Sequence, residues 1–514
     1  MHRRVPGSAF DRGCDGSGER SQCRGRTHLA LKKLAIGAAA LSAARVTQTA
    51  LTFLSLPILA RLLAPAEFGL AALAMSFAFF TMAIADAGMG QSLVRTPASE
   101  TNIWSSAFWM ILALSTALAC FLLAIASPAA WFFDQPGLAP LILALAPIPI
   151  IQGLAAPAAA DLQQRECFLQ LATAEIAGAV AGVGCAVFLA LAGYGPWAIV
   201  GQQLAMWTFK ATVVGFTTHF RPRFIIKREG LAPHLRFGLN TAGWSLANFF
   251  ARQIDPLVIA RVIGTASLGY YTVANRLITL PGHLVSGPVQ STLYTRMVAL
   301  RDNLPALKSL VLIATRALAG FVFLPMAILC AAAPAFIEVL LSEKWMAAAP
   351  LLAVMIPVGA LQAVTGLNGV ILMAIGRTGV RLRLTVEFTL IWICVVLLVA
   401  PLGLMAVATA FTATFLLYLP RTCHLFLSPI GCTVAEYALK LKTPTAVACG
   451  AALIHLALKT LLSPSAIAEV GLAVGEVVLG YMVVAFVLRG ALRNDLQTVR
   501  NLFAGLSPPL AHGK

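Results

Sequence analysis

Residues 54–74, LSLPILARLLAPAEFGLAALA, recur without a gap as residues 254–274, IDPLVIARVIGTASLGYYTVA, so the chain carries an internal duplication offset by 200 positions. Only an architecture that can be built twice in one chain accommodates this. The pairs Ala60/Ala260, Arg61/Arg261, Ala66/Ala266, Gly69/Gly269 and Ala74/Ala274 are identical. Just upstream, Arg45, Gln48, Thr52 and Ser55 align with Ser245, Asn248, Arg252 and Asp255, all polar, at spacings of three, four and three. On a helix that spacing is one face. Polar faces at equivalent positions of two apolar copies predict one central cavity lined from both halves.

The medium is set by composition. With 59% hydrophobic residues, 11% charged residues and a mean hydropathy of +0.85 over 514 residues, the chain belongs in a bilayer. Apolar runs of about 20 residues, long enough to cross a ~30 Å hydrocarbon core, recur about fourteen times from Leu34 to Leu488. An even number of helices separates the two copies, so both enter the membrane in the same direction and the repeat is parallel. The expectation is an all-α polytopic membrane protein. It has two six-helix bundles related by a pseudo-twofold axis along the membrane normal, plus two C-terminal helices. Residues 1–33 are expected to form a disordered basic N-terminus, 34–218 the first bundle, 219–236 a basic linker and 237–420 the second bundle. A loop over 421–443, the helix pair at 444–488 and a tail over 489–514 complete the division. The loop at 162–166, LQQRE, echoes MAIGR at 373–377, which supports the repeat.

A net charge of +17 invites a nucleic-acid reading. Its distribution favours another, because most Lys and Arg gather on one side once the N-terminus is placed in the cytoplasm. Both termini then lie in the cytoplasm, and the densest cluster, Arg221, Arg223, Lys227, Arg228 and Arg236, joins the two bundles. That linker faces anionic lipid headgroups. No nucleic-acid partner is expected. The ten cysteines map to helices or the cytoplasmic side, without a disulfide framework or zinc spacing. Prolines interrupt many spans. Pro256, Pro281 and Pro288, next to buried charges, mark a hinge in the seventh and eighth helices.

Ionisable groups inside membrane helices cost on the order of 2.5–3.5 kcal/mol each at the helix centre and so face protein or a wet cavity. Arg45, Asp86, Glu175, Lys210, Arg252, Asp255, Arg276, Arg316, Glu387 and Glu476 are such groups. Convergence of Arg45, Arg252, Arg276 and Arg316 suits a polyanion such as a diphosphate, because guanidinium groups bind phosphate oxygens bidentately. Structural readings stand beside this. Arg252 and Asp255 neutralise one another on one helix face, and Lys210, Arg316 and Glu387 snorkel to the interface. Asp86 has several readings: a coupling-ion carboxylate, a cap of its own helix, or a partner of Arg95. His283 and His455 stand alone in apolar spans, and Glu476 is read as a packing or interface group. The candidate substrate cavity therefore comprises Arg45, Gln48, Thr52, Lys210, Ser245, Asn248, Arg252, Arg276 and Arg316, with Asp86 and Asp255 as ion-coupling carboxylates. No catalytic residue, metal or cofactor is expected, since the chain has no GxxxxGK[ST], HExxH or GxSxG motif.

LPILARLLAPAEFGLAALA, with IADAGMGQSLVR, LQQRECF and GYGPWAIVGQQL, resembles the polysaccharide flippases of the multidrug/oligosaccharidyl-lipid/polysaccharide superfamily, most of all the Wzx-type exporters. The resemblance covers roughly residues 34–420. It implies a bacterial inner-membrane transporter that moves an undecaprenyl-diphosphate-linked oligosaccharide between leaflets for exopolysaccharide or lipopolysaccharide synthesis. It further implies alternating access through a cationic cavity, coupled to sodium or protons, with membrane lipids and a polysaccharide polymerase or export machinery as partners. One alternative is a cation-coupled multidrug antiporter, which would favour buried acids over arginines. Another is a membrane glycan polymerase or ligase, which would need reactive groups on a large outer loop.

Overall fold

In a computed structural model, residues 17–85, 89–94, 96–97, 100–225, 231–487 and 497 are described. The first half holds α1 (Ser17–Leu62), α2 (Pro65–Ala85), α3 (Met89–Leu93), α4 (Thr101–Phe132), α5 (Leu138–Leu145), α6 (Pro147–Gln164), α7 (Phe168–Leu191) and α8 (Trp197–Thr217). The second half holds α9 (Leu231–Val262), α10 (Thr265–Pro281), α11 (Gly287–Ala299), α12 (Leu304–Ala331), α13 (Ala333–Leu340), α14 (Ala348–Ala374), α15 (Thr378–Val399) and α16 (Leu404–Leu427). A last pair follows, α17 (Val434–Leu462) and α18 (Ala466–Val487). Among the described residues, ten helices are long and apolar enough to cross a membrane. Large side chains such as Leu398, Leu417 and Phe486 point outward, which a lipid solvent accommodates.

The duplication fixes the turns. α1 ends at Leu62 and α9 at Val262, while α2 begins at Pro65 and α10 at Thr265, so both helix breaks repeat the 200-residue offset of the sequence. The chemistry of the two breaks differs. In the first, Pro65 starts α2 without needing a hydrogen-bond acceptor for its nitrogen, and the Glu67 carboxylate accepts from the Ala64 N–H at 2.7 Å. In the second, Gly264 takes φ of 111°, a conformation that favours glycine. The echo between residues 162–166 and 373–377 has a backbone basis as well. Glu166 and Gly376 both adopt positive φ, and the next residue's N–H bonds back to Leu162 or Leu372 at 2.9 and 2.8 Å.

Three boundaries depart from the sequence expectation. α1 begins at Ser17, within the stretch expected to be disordered. The apolar run over residues 138–160, one of the fourteen expected spans, is two helices, because Pro147 interrupts it after Ala146. The eighth expected span breaks at Pro281 into a π-helical turn, Gly282–Ser286, before α11 resumes. A π turn at a proline is a recognised cause of bending, and it lies where the proline cluster predicts a hinge. The second-half linker residues 226–230, Asp86 with Arg95, residues 1–16 and nearly all of the tail lie outside the described residues.

One apolar core runs through both halves, from Leu56, Leu59 and Phe68 through Tyr271, Leu277 and Trp345 to Trp392 and Val407. The last helix pair is fastened to the second half. The Thr433 side chain and Glu436 form a reciprocal cap at the start of α17, Glu436 pairs with Lys308 of α12 at 2.7 Å, and the Tyr481 hydroxyl donates to the Phe321 carbonyl at 2.6 Å.

Candidate functional site

The two copies meet at their own repeat. α2 and α10 cross with Gly69 against Gly269. A Cβ added at Gly69 would overlap the Thr265 carbonyl, and one added at Gly269 would overlap the Pro65 carbonyl. Only hydrogen at both positions allows this approach. The same end of the bundle is clasped by the segment between α13 and α14. The indole of Trp345, wholly buried, donates to the Ala60 carbonyl at 2.7 Å and stands edge-on to Phe68 and Tyr270 at centroid distances of 5.5 and 5.9 Å. Lys344 Nζ donates to the Arg61 carbonyl at 2.8 Å, and the Arg61 guanidinium donates to the Val339 and Leu340 carbonyls at the end of α13. A cation at a helix C-terminus is favourable. Burial pushes the Lys344 ammonium below the usual lysine range, and the Glu67 carboxylate nearby opposes that shift. Arg261, the repeat partner of Arg61, instead lies over Phe132, 5.3 Å from the ring centre.

Beneath this crossing, Arg276 of α10 reaches across to the first half. Its guanidinium lies 5.3 Å from the centre of the Phe68 ring, a cation–π contact between the two halves. Arg252 of α9 is exposed. Arg45 of α1 is exposed too, and neither Arg45 nor Arg252 forms an ion pair among the described residues. Thr52, Ser245 and Asn248 are half-buried on the same helices. Arg316 is half-buried and engaged.

Other members of the candidate set turn into their own half. Gln48 Nε2 reaches the Met206 sulfur at 3.5 Å, and Ser55 accepts from Gln202 at 3.2 Å. Lys210 is neutralised by Glu175 at 2.8 Å and stacks near Trp207. Asp255 is buried and accepts from the Tyr271 hydroxyl, so its partner is tyrosine rather than Arg252. The indole of the buried Trp392 lies within electrostatic reach of the same carboxylate without closing a hydrogen bond. Ser55 and Asp255 are repeat equivalents, and both are buried. Removing the hydroxyl with Tyr271→Phe leaves the buried carboxylate without its donor. A loss of about 1–3 kcal/mol is expected, read as a lower midpoint of thermal unfolding in detergent.

His455 is not isolated, as its apolar sequence context predicts. The buried ring bonds through Nδ1 to Glu476 at 2.8 Å, and its Nε2 lies 3.6 Å from Glu469, which Lys459 neutralises at 2.7 Å. Glu476 thus has a buried polar role that its position in the last pair did not reveal. The first part of the linker is also strapped down. The Trp109 indole donates to the Arg223 carbonyl at 2.8 Å and stacks on Phe224 at 4.7 Å.

A family model described as polysaccharide biosynthesis protein matches residues 58–350. The chain belongs to this family. It is 30% identical over 244 residues to the succinoglycan biosynthesis transport protein ExoT of Rhizobium meliloti (strain 1021), covering 48% of the chain and 49% of that protein. It is 24% identical over 398 residues to the lipopolysaccharide biosynthesis protein WzxC of Escherichia coli (strain K12), covering 76% of the chain and 79% of that protein. Against ExoT, then, the match spans about half of the relative's length. Among solved structures, the lipid II flippase MurJ in its inward closed conformation superposes with a TM-score of 0.64 at 13% identity, over 89% of this chain and 99% of that one. An inward-facing multidrug-resistance transporter of the MATE family gives 0.56 at 16% identity, over 79% and 98%. The family member shares the multi-pass helical fold of these two structures.

Proposed function

We propose that this family member flips an undecaprenyl-diphosphate-linked oligosaccharide across the bacterial inner membrane by ion-coupled alternating access. The observation that carries the reading is Arg276, a cation held on the interface between the two halves directly under their closest crossing. A diphosphate entering between the halves meets Arg276 with the exposed Arg45 and Arg252 as further donors, and guanidinium groups bind such oxygens bidentately. The half-buried Thr52, Ser245 and Asn248 contact the sugar, and the polyprenyl tail stays in lipid. In the positive-inside orientation the Gly69/Gly269 crossing lies at the periplasmic end. In this reading the crossing and the Trp345 clasp form the outer gate, and the π turn after Pro281 is the hinge that swings it. Asp255 is the coupling carboxylate in the described part of the chain. Arg276 on the interface, with Arg45 and Arg252 on α1 and α9, favours an anionic cargo over the cationic drugs of an antiporter.

The direct test reconstitutes the purified protein in liposomes with undecaprenyl-diphosphate oligosaccharide on the inner leaflet. External glycosidase then reads exposure of the sugar with sodium, proton or no gradient. Gradient-dependent exposure is expected. Protein that is folded yet exposes no more sugar than empty liposomes overturns the reading.

A further inference from the structure

The second half contains a pocket of about 340 Å³ bounded by α14, α15 and α16, with Ala251 of α9 at its edge. None of the candidate cavity residues lines it. Beside the Gln362 amide and the Tyr418 hydroxyl, its polar lining holds two opposed kinds of group. Arg381 supplies donors: its guanidinium is half-buried, and Nη1 meets the thioether of Met373 at 3.0 Å, a weak acceptor. Among the described residues it has no carboxylate partner. Glu387, further along the same helix, is already held by Arg383 at 2.7 Å and by Arg421 and Tyr418 at 3.0 Å each. Thr365, Thr385, Thr389 and Thr422 supply acceptors. Each hydroxyl donates to a carbonyl of its own helix, at 2.8, 3.0, 2.7 and 3.1 Å respectively. A hydroxyl that has given up its one hydrogen presents lone pairs only.

This pairing selects an occupant. A bare cation suits the threonine oxygens and is repelled by Arg381. A bare phosphate suits Arg381 and is repelled by the threonine lone pairs. A carboxylate on a polyhydroxylated ring satisfies both, since its acid accepts from the guanidinium while its hydroxyls donate to the threonines. The rings of Phe388 and Phe415, with centroids 6.4 Å apart, add apolar walls for the C–H face of such a ring. The volume lies at the small end of ligand sites, room for one ring rather than a repeat unit. An uncompensated guanidinium in a span is costly, and a bound carboxylate removes that cost through paired hydrogen bonds.

We infer that this pocket binds a single acidic sugar, with Arg381 reading the carboxylate and the threonines reading the hydroxyls. The inference rests on the glycan-transport reading and narrows it to glycans that carry a uronic acid or a similar acidic residue.

The test uses the full-length protein in neutral phosphatidylcholine nanodiscs, titrated with D-glucuronate and followed by saturation-transfer NMR. Glucuronate is expected to bind in the millimolar range, with D-glucose at least about tenfold weaker. Arg381→Gln should weaken glucuronate at least about tenfold, while Arg301→Gln, in an exposed pair elsewhere, keeps the parent affinity. Arg381→Lys keeps the charge without the planar fork and should give an intermediate value, which preserves the test if the glutamine variant does not fold. Equal binding of glucose and glucuronate overturns the inference. So does inorganic phosphate binding that needs Arg381 and that glucuronate does not displace. Loss of glucuronate binding when phosphatidylglycerol replaces phosphatidylcholine reassigns the pocket to a lipid headgroup. Binding is read here without lipid-linked substrate or transport. A flipping assay that fails leaves this result standing, and flipping without glucuronate binding removes only the acidic-sugar site.

Discussion

Leucine at Gly69 or Gly269 lowers flipping by about 100-fold or more and leaves the α1–α2 end of the bundle splayed. The physical basis is overlap with backbone rather than with a side chain that can move aside, because the intruding carbon meets the Thr265 or Pro65 carbonyl. Overpacking of this kind costs about 1–3 kcal/mol or more when neighbours can shift. Here the only relief is separation of α2 from α10, which also lifts Trp345 off the Ala60 carbonyl. A destabilisation of about 3 kcal/mol of one conformation shifts its population roughly 150-fold. Spin labels at Leu62 and Val262, exposed turn residues at equivalent places in the two copies, report the separation on a background with the native cysteines replaced. A longer label distance with lost flipping is expected. An unchanged distance removes the crossing from the gate. The two single substitutions act on one contact, so the double variant should fall well short of the sum of their effects.

The second large effect concerns the guanidinium groups under that crossing. Arg252→Ala or Arg276→Ala should each reduce glycan export by about 10–100-fold, with the protein still present in the membrane at parental level. Charge-assisted hydrogen bonds are worth about 1.5–3 kcal/mol, and every 1.4 kcal/mol is about tenfold. Arg276→Lys separates two contributions. It retains the charge over Phe68 but loses the fork that matches phosphate oxygens, so partial export is expected. Normal export by both alanine variants would remove these residues from the cargo site.

Much of this architecture was legible in the primary structure because duplication writes the same turn twice. The identity of Gly69 and Gly269 was visible, and the breaks at Leu62 and Val262 follow from it. Sequence periodicity could not show that these two glycines touch, since it assigns a face to each helix without saying which helix lies opposite. The polar stripe illustrates the same limit. Spacing put Ser55 and Asp255 on the face of Arg45 and Arg252, yet both turn inward to Gln202 and Tyr271. Pairing over long separations was also hidden. Lys210 with Glu175 and His455 with Glu476 read as separate buried charges until the helices are docked. Nothing in the sequence singles out Arg381, which lies near a helix start beside Arg377 and Arg383. Its distinctive feature, the absence of a carboxylate partner among the described residues beside four back-bonded threonines, exists only in three dimensions.

The crossing of α2 and α10 obeys the rule of an isologous interface, in which a residue meets its own copy across a twofold relation. Gly69 approaches Thr265 as Gly269 approaches Pro65, positions that differ by the repeat offset alone. The two halves of the gene are therefore not free to drift apart at this place. A side chain acquired by either copy is felt by both, and the surviving ancestry of a repeat should be sought first where its two descendants still lean on one another.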